Sequence, residues 1–532
     1  MSIIKKSCAR IMASLLAGVI LTSGFLPVIN APATANACNL EEKYWPGSSW
    51  RTSTPESQGM DSEELSSMFE TIKKDKTPIH SVLVIKNGYL VAEAYFDPYD
   101  KNEKHALYSA TKSFTSTLIG IAIKEGYIKS VNQKVLDFFP DVKVENDQYQ
   151  VKDMTIENLL TMSSGHKDDS SSALYASKYF PQTFFNLPFD SKPGTKFIYD
   201  SGASHLLSMI LSKATGVSTE EYAKKHLFDP MKITDYWWET DTNGNYTGGW
   251  GLYLTPREMA KFGYLALKNG NWNGKQLVPM EWLDIATKEH IDTYDDGEKT
   301  ENYGYQWWIN SFGGYRADGY GGQYIYVIPQ KDLVVVFTAG INYNEQRQPG
   351  NYVSDFILPA IKSSRPLPPN PKSVNKLNSI TKGLESPKPK KVPALPKTAS
   401  EISGRTYTMD SEDLSLSFDF KKGNTCTLNL KQNGKDFNLA VGLDDIYRVT
   451  EASQVGNMIY YPYYRKVALK GQWINDNTFM MDWHYFEEPF SETYKFTFSG
   501  SSVTVEIDKY LPDHTGLSPT HKVLNGTQLT NK

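Results

Sequence analysis

Tyr108-Ser109-Ala110-Thr111-Lys112-Ser113 opens a run in which Phe114, Leu118, Ile119, Ile121, Ala122 and Ile123 follow with few charges before Lys124. The pattern predicts a largely buried helix with a hydroxyl and an amine on one face of its first turn, since positions three apart on a helix are neighbours. A serine hydroxyl is a weak nucleophile at neutral pH and needs an adjacent base. A lysine serves when burial lowers its pKa, because desolvation disfavours the ammonium form. Backbone N–H groups at a helix start also favour negative charge beside the serine. Alone, the spacing is weak and is better read as a helix-capping serine beside a solvated lysine, so its context decides.

Upstream, Asp61-Ser62-Glu63-Glu64 reads as a capping box opening a helix. Leu65, Met68, Phe69 and Ile72 recur at helical spacing and predict its core face. Ser81 to Ile85 and Tyr89 to Phe96 are β-prone runs flanking Asn87-Gly88, which predicts a hairpin. Downstream, helical patterns recur at Thr155 to Met162, Ser204 to Ala214 and Thr219 to Phe228. Tyr324 to Ile328 and Leu333 to Phe337 form a second hairpin around Pro329-Gln330-Lys331-Asp332, and Asn351 to Ile361 reads as a closing amphipathic helix. Strands at both ends with helices between them predict an α+β domain whose one sheet is completed by both termini.

Two further elements follow in chain order. Tyr199-Asp200-Ser201-Gly202 comes after a Lys192-Pro193-Gly194 turn, and Gly319-Tyr320-Gly321-Gly322-Gln323 immediately precedes the second hairpin. With these, the sequence resembles the serine beta-lactamase and penicillin-binding protein superfamily, in its class C and esterase-like branch. That family carries S-x-x-K, then Y-x-N or Y-x-S, then a triplet ending in Gly on an inner strand. Leu159 to Gly165, Gly248 to Leu252 and Thr255 to Ala260 look similar too, so the resemblance spans roughly Pro55 to Ile361. It implies a beta-lactamase-like fold, an antiparallel sheet flanked by helices with a helical lobe, and acyl transfer to water without metal or cofactor. Ser109 would carry the acyl group, with Lys112 and Tyr199 as a proton-handling pair. Ser201 would bond the substrate or Lys112, and the backbone N–H groups of Ser109 and Gln323 would form the oxyanion hole.

The departures bear on substrate. The third motif begins with Tyr320 where beta-lactamases use a cation for the substrate carboxylate, and a neutral phenol forms no such pair. The triplet Tyr320-Gly321-Gly322 is more similar to esterase and amidase members, including 6-aminohexanoate-dimer hydrolases. Its glycines would leave room for a ligand beside the strand. Asp200 reads either as a recognition site for a substrate amine or as a turn residue bonding its own backbone. His514-Thr515-Gly516 also spells the third motif but reads as a loop beside Pro512. His166 borders the cleft or is a satisfied loop histidine. Trp237-Trp238 and Trp307-Trp308 line a groove or pack in the core. The expected substrates are small esters, amides or peptides. A cell-wall D-peptidase (or weak beta-lactamase) is the second enzyme reading, and a binding protein that lost turnover is the reading of a different class.

At 532 residues the chain exceeds what one core supports, so more than one domain is expected. A net charge of −4 gives no electrostatic reason to expect nucleic acid or an anionic membrane as partner. There is no CxxC or HExxH, and nine histidines are scattered, so no metal site is predicted. Lys5, Lys6 and Arg10 precede an apolar stretch from Ile11 to Ile29, and Ala35-Asn36-Ala37 supplies small residues. This predicts a signal peptide over 1–37 and a secreted or extracytoplasmic protein, with a lipid anchor at Cys38 as a minor alternative. After a hydrolase domain at 55–362, eight prolines among Lys, Asn and Ser predict an extended, semi-rigid linker over 363–399. Short alternating runs such as Leu414 to Phe420 then predict a lipocalin-like or sandwich β-domain over 400–532. Cys8 would leave with the leader, and whether Cys38 and Cys426 pair is left open.

Overall fold

The structure is a computed structural model and describes residues 44–295, 298–410, 413–421, 423–451, 466–511 and 520–529. The predicted signal peptide over 1–37, Cys8, Cys38 and His514-Thr515-Gly516 lie outside the described residues.

Ser62–Asp75 forms helix α1, with the Asp61 carboxylate accepting from the Glu63 N–H at 2.8 Å. The predicted face is correct: Leu65, Met68, Phe69 and Ile72 are all fully buried. Strands β1 (Ile79–Lys86) and β2 (Tyr89–Tyr95) follow, and Asn87 and Gly88 take φ of 52° and 76°. Two successive left-handed residues match the right-handed twist of the flanking strands, which explains the Asn-Gly choice.

Helix α2 (Thr111–Lys124) is buried around almost its whole circumference, including its hydroxyl residues. Ser113 donates to the Gln306 carbonyl and Thr115 to the Gly248 carbonyl, each at 2.7 Å. These bonds satisfy two of the buried hydroxyls of a polar-rich helix that sits in a core, whereas Ser116 Oγ finds no partner. Helices α3 (Ser201–Thr215) and α4 (Pro256–Leu267) pack with it. Strands β3 (Ile291–Asp295), β4 (Glu298–Tyr303), β5 (Trp308–Ile309), β6 (Tyr315–Gly319), β7 (Gln323–Ile328) and β8 (Leu333–Ala339) complete the sheet.

The order is β2-β1-β8-β7-β6-β5-β4-β3, antiparallel throughout, with Val82 paired to Phe337. Both ends of the domain therefore meet in the middle of one sheet. Alternate residues divide between two faces, as a pleated strand requires. Leu83, Ile85, Ile325 and Val336 face α2, α4 and the helical lobe, whereas Val82, Val84, Tyr326 and Phe337 face α1 and the helical segment 348–360. The result is a beta-lactamase-like α+β domain.

The segment 363–399 is not an extended linker. Pro371–Glu385 forms helix α5, capped by Asn370 with Pro371 in its first turn. Leu377 and Leu384 are buried against the α1 side of the sheet, and Lys376 bonds Glu63 at 2.7 Å. The prolines flank this helix instead of interrupting it, and proline is tolerated in a first turn because that N–H has no helical partner.

Beyond it, Tyr407–Met409, Leu414–Asp419, Thr425–Gln432, Lys435–Gly442, Arg448–Glu451, Lys466–Trp473, Thr478–Tyr485, Ser491–Ser499, Ser502–Lys509 and His521–Gln528 are strands β9 to β18. They form a meander in which first and last strands pair and β12 meets β14 at Gly442 and Lys470. This closes an all-β barrel, not a two-sheet sandwich. Phe418, Leu428, Phe479, Met481 and Phe496 fill its interior, together with the buried thiol of Cys426.

Candidate active site

Ser109 sits in a 3-10 turn, Tyr108–Ala110, that leads directly into α2. Tyr108 takes a left-handed φ of 46°. A non-glycine residue held there is strained by about 1–3 kcal/mol and persists only where its surroundings fix it. The turn packs against the ends of β6 and β7. Gly319, the last residue of β6, lies so close that a Cβ there would come within 2.1 Å of the Leu107 carbonyl oxygen.

Lys112, one helical turn on, is 1% exposed. Its Nζ lies 2.9 Å from Ser109 Oγ, 3.1 Å from Ser201 Oγ and 2.8 Å from the Gly249 carbonyl oxygen. Burial brings this amine down to about 7, against the opposing pull of Asp169, Asp200 and Asp318. Tyr199 approaches from the other side: its ring centroid is 4.8 Å from Lys112 Nζ, and its phenol hydrogen-bonds Ser109. Burial pushes that phenol above its ordinary pKa despite the bond from Ser109, so it is protonated at neutral pH. Trp308 stacks on Tyr199 at 6.1 Å, while neighbouring Trp307 is wholly buried core.

Ser109, Lys112, Tyr199 and Ser201 thus converge between the sheet and the helical lobe. Gln323 begins β7 beside them, its buried side-chain amide donating to the carbonyls of Tyr320 and Ala339. Tyr320 packs its ring 5.7 Å from Tyr108 and 6.5 Å from Phe490 of the barrel. Gly321 and Gly322 do not leave room for a ligand. A Cβ on Gly321 would lie 2.6 Å from Pro489 of the barrel, and one on Gly322 would lie 2.7 Å from Ile341. Both take left-handed φ, 76° and 94°, which is why glycine stands there.

Asp200 is no reader of substrate amines. It is fully buried and caps α3, accepting from Ala203 N at 3.1 Å, from Ser170 Oγ at 2.6 Å and from His166 Nδ1 at 3.0 Å. Burial opposes its charge, but these bonds hold its carboxyl below the usual range. His166 is satisfied on both nitrogens, with Nε2 bonded to the Phe184 carbonyl at 2.9 Å. The sequence reading missed the Gly249 carbonyl and Asp169, which accepts from the Ser201 N–H at 3.0 Å. Among the described residues, no group of three or more His, Cys, Asp or Glu side chains is arranged to hold a metal ion.

A family model described as Beta-lactamase matches residues 64–357, and the chain belongs to that family. Over 286 residues it is 24% identical to the 6-aminohexanoate-dimer hydrolase of Paenarthrobacter ureafaciens, covering 49% of this chain and 72% of that protein. It is 28% identical over 152 residues to the lovastatin esterase of Penicillium rubens, 24% of this chain and 38% of that one. Among solved structures, the octameric penicillin-binding protein homologue from Pyrococcus abyssi has a TM-score of 0.45 at 16% identity, covering 87% of this chain and 99% of that chain. The chain is a hydrolase of the superfamily that includes esterases, amidases and beta-lactamases.

Proposed function

We propose that the protein is an exported serine hydrolase that cleaves small esters or amides through an acyl group on Ser109. The observation that carries this reading is the buried Lys112 amine 2.9 Å from Ser109 Oγ with its pKa brought down to about 7. A neutral amine has two N–H groups and one lone pair. The Gly249 carbonyl only accepts, so one N–H is committed to it, and Ser201 Oγ takes the second. The lone pair then faces the Ser109 hydroxyl, the arrangement a general base requires.

In acylation, Ser109 Oγ attacks the acyl carbonyl as its proton passes to Lys112. The oxyanion is bound by the backbone N–H groups of Ser109 and Gln323, donors whose removal in comparable sites costs roughly 3 kcal/mol. Tyr199, protonated, donates to the departing alcohol or amine and recovers its proton from Lys112. In deacylation the same groups run in reverse, with water in place of the leaving group. No step calls for a metal.

Esters and linear amides are the proposed substrates, supported by the aromatic packing of Tyr320 and by the activity named for the Paenarthrobacter relative. Fluorophosphonate labelling followed by intact-mass analysis tests the reading. One adduct per chain is expected on the Ser109 peptide, lost in Ser109→Ala, and the same spectrum shows whether the mature chain begins at Cys38. Folded protein that takes no label would leave a binding protein as the surviving reading. Cleavage of p-nitrophenyl esters should outrun nitrocefin; rapid nitrocefin turnover would overturn the assignment of Tyr320.

A further inference from the structure

The barrel turns one of its connections into the hydrolase domain beside the nucleophile. Between β15 and β16, residues Phe486, Glu487, Glu488, Pro489 and Phe490 are all buried. The Ala106 N–H donates to the Glu487 carbonyl at 2.9 Å, just ahead of the Ser109 turn. Pro489 fills the space over Gly321, and its carbonyl oxygen would lie 2.4 Å from a Cβ on Gly340. Glu488, wholly buried, accepts a bond from the Tyr108 hydroxyl at 2.7 Å through Oε2 and one from the Tyr253 hydroxyl through Oε1.

Burying a carboxyl is expensive unless its oxygens are bonded, and this one is bonded to the residue immediately before the proposed nucleophile. That residue is also held at a left-handed φ, a conformation its surroundings must enforce. We propose that the Phe486–Phe490 connection of the barrel is a working part of the hydrolase site, with Glu488 as a positioning residue. It holds the Tyr108 phenol, and so keeps the strained turn in the form that aims Ser109 Oγ at Lys112. The C-terminal domain is then required for acylation and not an appended recognition module. The proposal rests on Ser109 being the acylated residue.

The test measures the rate of fluorophosphonate labelling at Ser109 and the kcat and KM for a p-nitrophenyl ester, on the full chain. Glu488→Leu and Tyr108→Phe are each expected to slow acylation 10- to 100-fold through kcat with KM little changed, a misplaced nucleophile being a loss of this order. Glu488→Gln, which keeps an amide oxygen able to accept from the Tyr108 hydroxyl, should restore the rate to within about threefold of wild type. Glu488→Leu combined with Tyr108→Phe should be no slower than Glu488→Leu alone, because that variant already removes the Tyr108–Glu488 bond. Leu428→Ala, which opens a cavity in the barrel interior, controls for lost stability and should leave the labelling rate unchanged. Wild-type rates in Glu488→Leu, or losses that add in the double variant, would overturn the proposal. Should Glu488→Leu fail to fold, Tyr108→Phe decides: an unaltered kcat overturns it. Failure of the wild-type chain to take label at Ser109 would instead remove the hydrolase reading beneath it.

Discussion

In the proposed mechanism Lys112 acts as a base only while neutral, and nearly complete burial is what brings its pKa down to about 7. Protonated at lower pH, it offers Ser109 a donor instead of a lone pair. Acylation should therefore rise with pH through about 7 and level off above about 8, read from labelling rates across that range. Lys112→Arg should abolish the profile and cost about 10²–10⁴ in rate, since a guanidinium stays protonated throughout. At this scale the sequence was informative where chemistry resides in a side chain. Ser109, Lys112, Tyr199 and Ser201 could be picked out by residue type and order along the chain. The Gly249 carbonyl could not, because every residue carries one and only the fold says which points at an amine. Gly321 and Gly322 misled for a related reason. A glycine pair signals tight approach, but whether a ligand or another part of the chain approaches is a tertiary fact.

Among the elements, α1, the Asn87-Gly88 hairpin and the β7–β8 hairpin were legible because periodicity and turn chemistry agree there. Helix α5 was hidden by composition. Its flanking prolines dominate the segment, while its apolar face consists of Leu377, Ile380 and Leu384 among polar neighbours. Leu377 is 2% exposed, and truncating it should be felt as a core change. Leu377→Ala is expected to destabilise the hydrolase domain by about 2–4 kcal/mol, measured by urea denaturation. Limited proteolysis should spare 371–385 in the wild type and cut there in the variant. An unstructured linker would show neither effect.

For the molecule as a whole, the contact between hydrolase domain and barrel contains a buried cluster of imidazoles. His80 Nδ1 lies 2.7 Å from His105 Nε2 and stacks on Tyr99 at 3.9 Å, and Tyr447 bonds His484 Nε2 at 2.9 Å. Burial holds His105 and His484 down to about 4, and burial with its two neighbours holds His80 well below its ordinary value. In the unfolded chain these rings take up protons near pH 6.5. Stability present above 6.5 is thus lost as pH falls toward 4, where the unfolded form binds more protons than the folded one. The unfolding midpoint should drop by several degrees between pH 7 and pH 5, and His105→Gln should make the dependence shallower. No single stretch of sequence announces this cluster, since its members come from positions as far apart as 80 and 484.

The central sheet also has a temporal side. Ser81 and Thr338, bonded across β1 and β8, are 257 positions apart in the chain. A ribosome must deliver nearly the whole hydrolase domain before β1 acquires its second neighbour, and closing so long a loop makes the step intrinsically slow. Synthesis therefore leaves a long interval in which the nascent polypeptide has no finished sheet.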